Sequence, residues 1–152
     1  MQKHAVMVYI QKGDQLLFLI RNKKNEKTHL QGIYLPMGGN VEPGESIEDC
    51  ARREVLEESQ LEVKSLEFKG VVHGMSEDDW VHFIFLCTEF EGNPIAGNEG
   101  GFEWVKKTSI PTMHTYENQK NIMQDLFKYN FFVAELRSKN LQKLSYITLK
   151  AF

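Results

Sequence analysis

The sequence is poor in cysteine and has no long apolar run. Its 152 residues include two cysteines, Cys50 and Cys87, which stand far apart and outside any CxxC pattern. Together with five scattered histidines they give no zinc signature, and they indicate two reduced thiols in a reducing compartment. No segment approaches the roughly 18 consecutive apolar residues that a membrane-spanning helix requires. These absences argue against a disulfide framework, a zinc module and a membrane protein, and they favour the cytoplasm.

Clustered positive charge is missing as well. The 18 lysines and arginines are scattered and the net charge is −3, whereas a duplex-binding surface needs many basic residues on one face. We therefore expect no nucleic-acid polymer as a partner. A small anionic ligand stays possible, because a few nearby polar or charged groups are enough to bind it. The apolar run at the N-terminus is only about six residues long, which predicts a first strand and not a signal peptide. The length predicts one domain over residues 1–152.

The predicted elements are mostly strands with two inserted helices, which is typical of an α+β domain. Trp80–Cys87 is apolar at successive positions, which predicts a central strand buried on both faces. The apolar spacing within YENQKNIMQDLFKY predicts the second helix. RNKKNEKTHLQG and HGMSEDD are expected to be loops. The run IYLPMGGN is expected to be a strand that ends in a flexible bend at its proline and glycine pair. The other predicted strands are 5–10, 16–20, 61–72 and 102–105, with a closing hairpin of 131–136 and 144–149.

The stretch GNVEPGESIEDCARREVLEESQL predicts a first helix, for which Ser46 is the expected N-cap, with Asp49 three residues later as in a capping box. At about 100° per residue, one narrow stripe of this helix begins apolar and ends acidic. The stripe contains, in order, Ile47, Ala51, Glu54 and Glu58, with Glu57 beside it.

Two interpretations of this stripe compete. In the first it is a solvated face with ion pairs, because Arg53 and Glu57 are four residues apart. In the second it is a cation site, because the acids continue the apolar face and lie in the C-terminal half, where the helix dipole disfavours negative charge. Mg²⁺ typically binds one or two carboxylates together with waters and substrate phosphates.

The spacing of these residues resembles the Nudix box, GX5EX7REUXEEXGU, in which U is a bulky aliphatic residue. One position departs, because Gln60 stands where the motif has its last glycine. Glycine there serves as a left-handed helix cap, so we expect glutamine to strain or reshape the turn without removing a ligand. The matching residues are Gly39, Glu45, Arg53, Glu54, Val55, Glu57, Glu58 and Leu61.

The resemblance implies a Nudix fold, a mixed β-sheet flanked by helices in an α/β/α sandwich, and hydrolysis of a nucleoside diphosphate linked to another moiety. It implies that Mg²⁺ or Mn²⁺ is held by Glu54, Glu57 and Glu58, the last being our first choice of general base. It further implies that Arg53 orients the glutamates and that Glu45 braces the loop. Gly38 and Gly39 would let the backbone approach the phosphates.

The whole chain is similar in layout to the MutT-like purine nucleoside triphosphatases, including those that remove 8-oxo-dGTP. By this resemblance Glu99, in GNEGGFEWV, is a further metal ligand; the alternative is a solvent-exposed loop acid. Tyr116 takes the place of a base-stacking aromatic residue, and the alternative is core packing at a helix start. Arg21 and Lys23 are candidates to contact phosphate or ribose, against a solvated charge run.

Two departures leave the base identity open. Asn118 is a candidate base contact, but it stands among residues that are acidic in the oxidised-purine enzymes. Leu35 stands where those enzymes have an asparagine. The expected reaction converts modified purine nucleoside triphosphates to monophosphate and pyrophosphate. ADP-ribose or another nucleoside-diphosphate derivative is the alternative substrate, a nucleotide sensor is the alternative class, and monomer and dimer both stay open.

Overall fold

The computed structural model describes residues 3–21, 32–75, 79–98, 100–140 and 143–152. Its first half contains β1 (Lys3–Lys12), β2 (Gln15–Arg21), β3 (Tyr34–Leu35), β4 (Met37–Asn40), α1 (Ile47–Ser59), β5 (Glu62–Val63) and β6 (Glu67–Met75). Its second half contains β7 (Trp80–Cys87), β8 (Phe90–Glu91), β9 (Gly100–Lys106), a 3₁₀ helix (Lys107–Thr112), α2 (Glu117–Lys128), β10 (Phe132–Asn140) and β11 (Lys143–Ala151).

The main sheet is mixed, as the α+β prediction requires. β1 runs parallel to β7, and β6 runs parallel to β10, while β6 with β7 and β10 with β11 are antiparallel. β7 therefore lies between β1 and β6 inside the sheet. The prediction of a central strand at Trp80–Cys87 is confirmed, and its physical reason is that both faces of this strand are covered.

The sheet divides at β1, and the division creates the space for the site. Residues 10–12 of β1 pair with β2, whereas residues 5–8 of the same strand pair with β4. β2 continues away from β1 and pairs with β3 on that side and with β9 on the other. The run IYLPMGGN, predicted as a strand ending in a flexible bend, is thus two strands separated by Pro36, which has no N–H to continue a ladder, and the glycine pair belongs to β4 instead of a bend.

The two helices cover opposite faces of the sheet, which confirms the predicted sandwich. Side chains of β1 alternate between the faces, as the period of a strand demands. One core layer contains Val6, Val8, Ile10 and Leu17 with Cys50, Ala51 and Val55 of α1. The other contains Met7, Tyr9 and Phe18 with Ile122, Met123 and Leu126 of α2. Cys50 and Cys87 are both buried and free.

Several predicted strand limits were wrong. The prediction 61–72 covers two strands, because β5 pairs with β8 in a separate ribbon while β6 joins the main sheet. β6 also extends through His73–Met75, which the sequence analysis placed in the loop HGMSEDD. Residues 76–78 of that predicted loop lie outside the described part of the chain. The closing hairpin is confirmed but longer, as β10 and β11. In each case pairing partners decide where a strand ends.

Of the helices that the structure describes, none has the length and apolarity to span a membrane.

Helix α1 begins and ends where the sequence predicts. Ser46 Oγ accepts a hydrogen bond of 3.0 Å from the Asp49 N–H, which is the expected cap. At the other end Gln60 has φ 64° and ψ 12°, and its N–H donates to the Leu56 carbonyl at 2.9 Å. Of the two expected effects of this glutamine, strain and a reshaped turn, the structure has the strained left-handed cap. Within the described residues it is the one non-glycine residue with positive φ.

Candidate active site

The Gly38–Gly39 pair brings β4 against β1 and against helix α1. A Cβ on Gly38 would lie 2.1 Å from the Val6 carbonyl oxygen, so glycine permits the close approach of β4 to β1. A Cβ on Gly39 would lie 2.3 Å from the carboxylate of Glu54. The Gly38 N–H donates to Glu58 Oε1 at 3.0 Å. The glycines thus hold two box carboxylates directly against the backbone.

Arg53 joins the helix to the loop before it. Its Nε and Nη2 donate to the two carboxylate oxygens of Glu45 at 2.7 and 2.9 Å, a bidentate pair. Its Nη1 donates to Glu54 at 2.9 Å and to Glu57 at 3.3 Å. The ion pair anticipated between Arg53 and Glu57 is therefore present, but the shorter contacts go to Glu45. Glu45 Oε1 also accepts the N–H of Glu42 at 3.1 Å, which closes the loop.

The charges of this cluster are unevenly balanced. The hydrogen bonds from Arg53 lower the pKa of Glu45 to about 2, and the same contact raises the pKa of the arginine. The pKa of Glu54 is raised instead, first by burial and then by the negative charges of Glu57 and Glu45, against the opposite effect of Arg53. Glu54 is thus a partly buried carboxyl whose negative form lacks full compensation. A positive charge nearby would stabilise that form.

The three box glutamates line one cavity of about 470 Å³, which we call the acidic cleft. Its other lining residues are Leu19, Gly38, Gly97, Asn98 and Gly100. Glu99 itself lies outside the described residues, as does Lys23, but the residues on both sides of Glu99 line the cleft. The acidic helix and the segment around Glu99, which the sequence analysis linked only through a family resemblance, therefore meet in space.

The donor chemistry of the cleft fits a hard divalent cation, since carboxylate oxygens are the ligands that Mg²⁺ and Mn²⁺ prefer. In the structure each box carboxylate has another contact: Glu54 and Glu57 face Arg53, and Glu58 faces the Gly38 N–H. In the described part of the chain, no three or more His, Cys, Asp or Glu side chains are gathered as a ready metal site. The donor chemistry therefore fits such a cation, and Arg53 and the Gly38 N–H hold the three carboxylates at the cleft.

A second cavity, of about 280 Å³, shares the lining residue Gly38 with the acidic cleft, and Gln119 of α2 is part of its lining. We call it the neutral cavity, because none of its lining residues is Asp, Glu, Lys or Arg. Burial lowers the pKa of His82 to about 4, so its imidazole is neutral at pH 7. The lining residues are Ala5, Val6, Met7, Leu35, Pro36, Met37, Gly38, Gly39, Asn40, His82 and Gln119.

Gln119 and His82 are cavity residues that the sequence analysis did not select. A signal for Gln119 was present, because it stands three and four residues before Ile122 and Met123, on the face of α2 that packs against the sheet. No signal in the sequence distinguished His82. Leu35, noted as a departure from the oxidised-purine enzymes, does line the neutral cavity.

Three other expected substrate contacts, Tyr116, Asn118 and Arg21, are not among the lining residues of either cavity. Tyr116 precedes α2 as its N-cap residue and is 42% exposed, so the alternative that it packs in the core is wrong. Asn118 is half-buried in the first turn of α2, and it lines neither the acidic cleft nor the neutral cavity. Arg21 ends β2 directly opposite Gly100, a residue of the acidic cleft.

Comparisons with known proteins agree with this architecture. A model of the NUDIX domain matches residues 1–126. A Pseudomonas fluorescens (strain Pf0-1) protein named NAD-capped RNA hydrolase NudC is 41% identical over 131 residues, which are 81% of this chain and 43% of that protein. The protein of the same name from Pseudomonas syringae pv. syringae (strain B728a) is 41% identical over 66 residues, 43% of this chain and 22% of its own length. The chain spans less than half the length of these relatives.

Solved structures are similar over a larger share. A mutator MutT protein from Bacillus halodurans has a TM-score of 0.83 and 25% identity, with 97% of each chain covered. The MutT NUDIX hydrolase from Burkholderia pseudomallei has a TM-score of 0.71 at 18% identity, over 82% of this chain and 98% of that one, and shows the same fold. Since the family model spans most of the chain and the box residues converge on one cleft, the chain belongs to the Nudix hydrolase family.

Proposed function

We propose that this protein is a metal-dependent pyrophosphohydrolase that converts a purine nucleoside triphosphate, including modified purines such as 8-oxo-dGTP, to monophosphate and pyrophosphate. The observation that carries the proposal is that the acidic cleft and the neutral cavity share the lining residue Gly38. The acidic cleft suits a cation and the phosphates it neutralises, and the adjoining neutral cavity suits an uncharged base. A nucleoside triphosphate has the same sequence of a charged chain and a neutral ring.

The charged residues and the two glycines at and beside the cleft have distinct roles in this proposal. Glu54, Glu57 and Glu58, with Glu99, would hold Mg²⁺ or Mn²⁺, which would neutralise phosphate charge and acidify a bound water. Arg53 holds Glu54 and Glu57 in position through its hydrogen bonds. Gly38 and Gly39 leave the backbone without side chains where the phosphates would approach.

Glu58 is the proposed general base. The Gly38 N–H holds one of its carboxylate oxygens, so the side chain has a defined position next to the cleft. It would accept the proton of the attacking water as the new oxygen–phosphorus bond forms. Attack at the β-phosphorus then breaks that atom's bond to the oxygen it shares with the α-phosphorus, and the monophosphate leaves.

Three further residues complete the proposed substrate contacts. Tyr116 is exposed and its carbonyl accepts the N–H of Gln119, a residue of the neutral cavity, at 3.0 Å, so its backbone lies one helical turn before that residue; its ring would stack on the base. Asn118 would contact the base edge from the same turn. Arg21, opposite Gly100, and Lys23 would contact phosphate or ribose.

A second substrate class is supported by a different observation, the 41% identity to proteins named NAD-capped RNA hydrolase. In NADH and in ADP-ribose a diphosphate links two larger groups. Either compound would place this diphosphate in the acidic cleft. The Bacillus halodurans structure, with 97% of both chains covered, supports the triphosphate instead.

A hydrolysis panel with Mg²⁺ separates these classes. It contains purine and pyrimidine nucleoside triphosphates, 8-oxo-dGTP, NADH, ADP-ribose and dinucleoside polyphosphates, with phosphate and pyrophosphate release as the measurement. We expect purine triphosphates to give the highest kcat/KM and to release pyrophosphate. Faster cleavage of NADH or ADP-ribose than of every triphosphate would establish the second class, and no hydrolysis of any compound would indicate a sensor.

The position of attack is tested with ¹⁸O-labelled water. Attack at the β-phosphorus places the label in pyrophosphate, and label in the monophosphate would contradict it. Glu99→Gln should lower kcat more than it raises KM if this residue acts mainly in the transition state. Wild-type kinetics in this variant would make Glu99 a loop acid.

A further inference from the structure

One buried amide is the main polar group of the neutral cavity. Gln119 is only 6% exposed, yet it lines this cavity together with apolar side chains, the neutral imidazole of His82 and the exposed side chain of Asn40. A ligand there meets no charged side chain, so it is recognised by hydrogen bonds and shape. A buried amide discriminates strongly between ligands, because a wrong partner leaves it without a hydrogen bond.

The orientation of this amide is set by Tyr9 of strand β1. The Tyr9 hydroxyl lies 2.7 Å from Gln119 Oε1, the usual length of an O–H···O hydrogen bond and short for one from nitrogen. On its other side the amide nitrogen lies 3.6 Å from the sulfur of Met7, which is a weak acceptor. The Tyr9 hydroxyl also lies 3.2 Å from this sulfur, but the amide oxygen is the stronger acceptor, so the favoured arrangement has the hydroxyl donating to Gln119 Oε1 and the amide nitrogen facing the sulfur.

Tyr9 keeps this role over the whole physiological pH range. Its side chain is 1% exposed, and burial raises its pKa well above the ordinary value for tyrosine. The hydroxyl therefore stays protonated and donates. With its oxygen occupied by this donor, the Gln119 amide has two N–H groups, of which one faces Met7. Among the described residues, the hydrogen bond found for this nitrogen is the one to the Met7 sulfur, so the second N–H is left for a ligand.

We propose that Tyr9 is a positioning residue that fixes Gln119 as a hydrogen-bond donor, so that the neutral cavity selects a base edge carrying an acceptor. This rests on the proposed function, in which the neutral cavity takes the base. Guanine and hypoxanthine present an oxygen at the purine 6-position, whereas adenine presents an amino group that can only donate. The pair therefore selects 6-oxopurines against 6-aminopurines.

The test is equilibrium binding of dGMP and dAMP without metal, measured by calorimetry. The complex with dGMP has a hydrogen bond from Gln119 that the complex with dAMP lacks, so wild-type protein should bind dGMP about tenfold more tightly than dAMP. Tyr9→Phe removes the hydroxyl, so the amide can turn and present its oxygen, and the ratio of the two dissociation constants should fall towards one. Gln119→Met removes the amide and should give a ratio near one as well.

Tyr146→Phe is the matched control. The Tyr146 hydroxyl donates to Asp125 of the same helix at 2.8 Å, so this variant also removes one tyrosine hydroxyl that anchors α2. Because Tyr146 does not line the neutral cavity, the variant should keep the wild-type ratio. A structural effect of losing such an anchor would appear in both tyrosine variants alike.

Three results would overturn the proposal: equal binding of dAMP and dGMP by wild-type protein, an unchanged ratio in Tyr9→Phe, or the same change in Tyr9→Phe and Tyr146→Phe. Failure of both monophosphates to bind at millimolar concentration would also overturn it, because the cavity would then not be a base site. The measurement needs no hydrolysis. A protein that discriminates as expected but cleaves no triphosphate would contradict the proposed reaction alone.

Discussion

Alanine at Gly38 and at Gly39 should separate folding from activity. Neither glycine has positive φ, so alanine can adopt the backbone conformation at both positions and only steric contact decides the outcome. At Gly38 the added Cβ meets backbone of β1: the Val6 oxygen at 2.1 Å, the Val6 carbonyl carbon at 3.1 Å and the Met7 Cα at 3.2 Å. At Gly39 it meets the end of the Glu54 side chain, with the carboxyl carbon at 2.3 Å.

These contacts predict different losses of stability and of rate for the two variants. The backbone of β1 cannot move without loss of its pairing with β4, so Gly38→Ala should cost about 1–3 kcal/mol, the usual range for overpacking. For a domain of this size that lowers Tm by roughly 2–12 °C. The Glu54 carboxylate can rotate away, so Gly39→Ala should change Tm little, while a displacement of about 1 Å at a reacting site can cost about 10²-fold in rate.

The assay compares thermal unfolding in metal-free buffer, followed by circular dichroism, with initial hydrolysis rates on the best substrate of the panel. Gly39→Ala is expected to unfold near the wild-type temperature and to lose about 99% of the rate. Wild-type activity in Gly39→Ala would refute the placement of Glu54 against this glycine as a requirement of the reaction. Equal losses of Tm in the two variants would refute the steric distinction.

Three further predictions concern helix α1. Gln60→Gly should raise the free energy of unfolding by about 0.5–1 kcal/mol, because relief of the left-handed strain exceeds the added freedom of the unfolded chain. Gln60→Ala keeps the Cβ and should give no such gain. Equal melting temperatures for the two variants would contradict this prediction. The pKa of Glu45 is lowered to about 2 in the folded protein, so its pair with Arg53 stabilises the fold above the unfolded pKa near 4.3 and is lost as pH falls towards 2. Glu45→Gln should therefore flatten acid unfolding in this window, while Glu48→Gln at an exposed pair should not; matching acid profiles would count against the pair. Glu57→Gln should abolish most turnover at saturating Mg²⁺. It should change the free energy of unfolding in metal-free buffer by no more than about 0.5 kcal/mol, because the side chain is exposed and its ion pair with Arg53 is weak. Retained turnover would mean that Glu57 is not a metal ligand.

The box helix was predictable because its relationships are local. Ser46 and Asp49 form the expected cap, and Glu54 and Glu58 share a face because helical geometry fixes the direction of residues four apart. The motif implied that Arg53 orients the glutamates and that Glu45 braces the loop, whereas the bidentate pairing of these two residues with each other was found only in the structure. The left-handed cap at Gln60 followed from the position of the motif glycine. Short-range geometry and spacing therefore determined the acidic half of the site.

The neutral cavity was decided by the tertiary structure. Tyr9 and Gln119 are 110 positions apart, and their hydrogen bond exists only because β1 and α2 pack in one register. A strand's alternation shows that Met7 and Tyr9 share a face, but not which helix covers that face. The division of β1 between β2 and β4, which opens the site, likewise depends on pairing with distant segments. Periodicity specifies the direction of a side chain within its own element, and only packing specifies what that side chain meets.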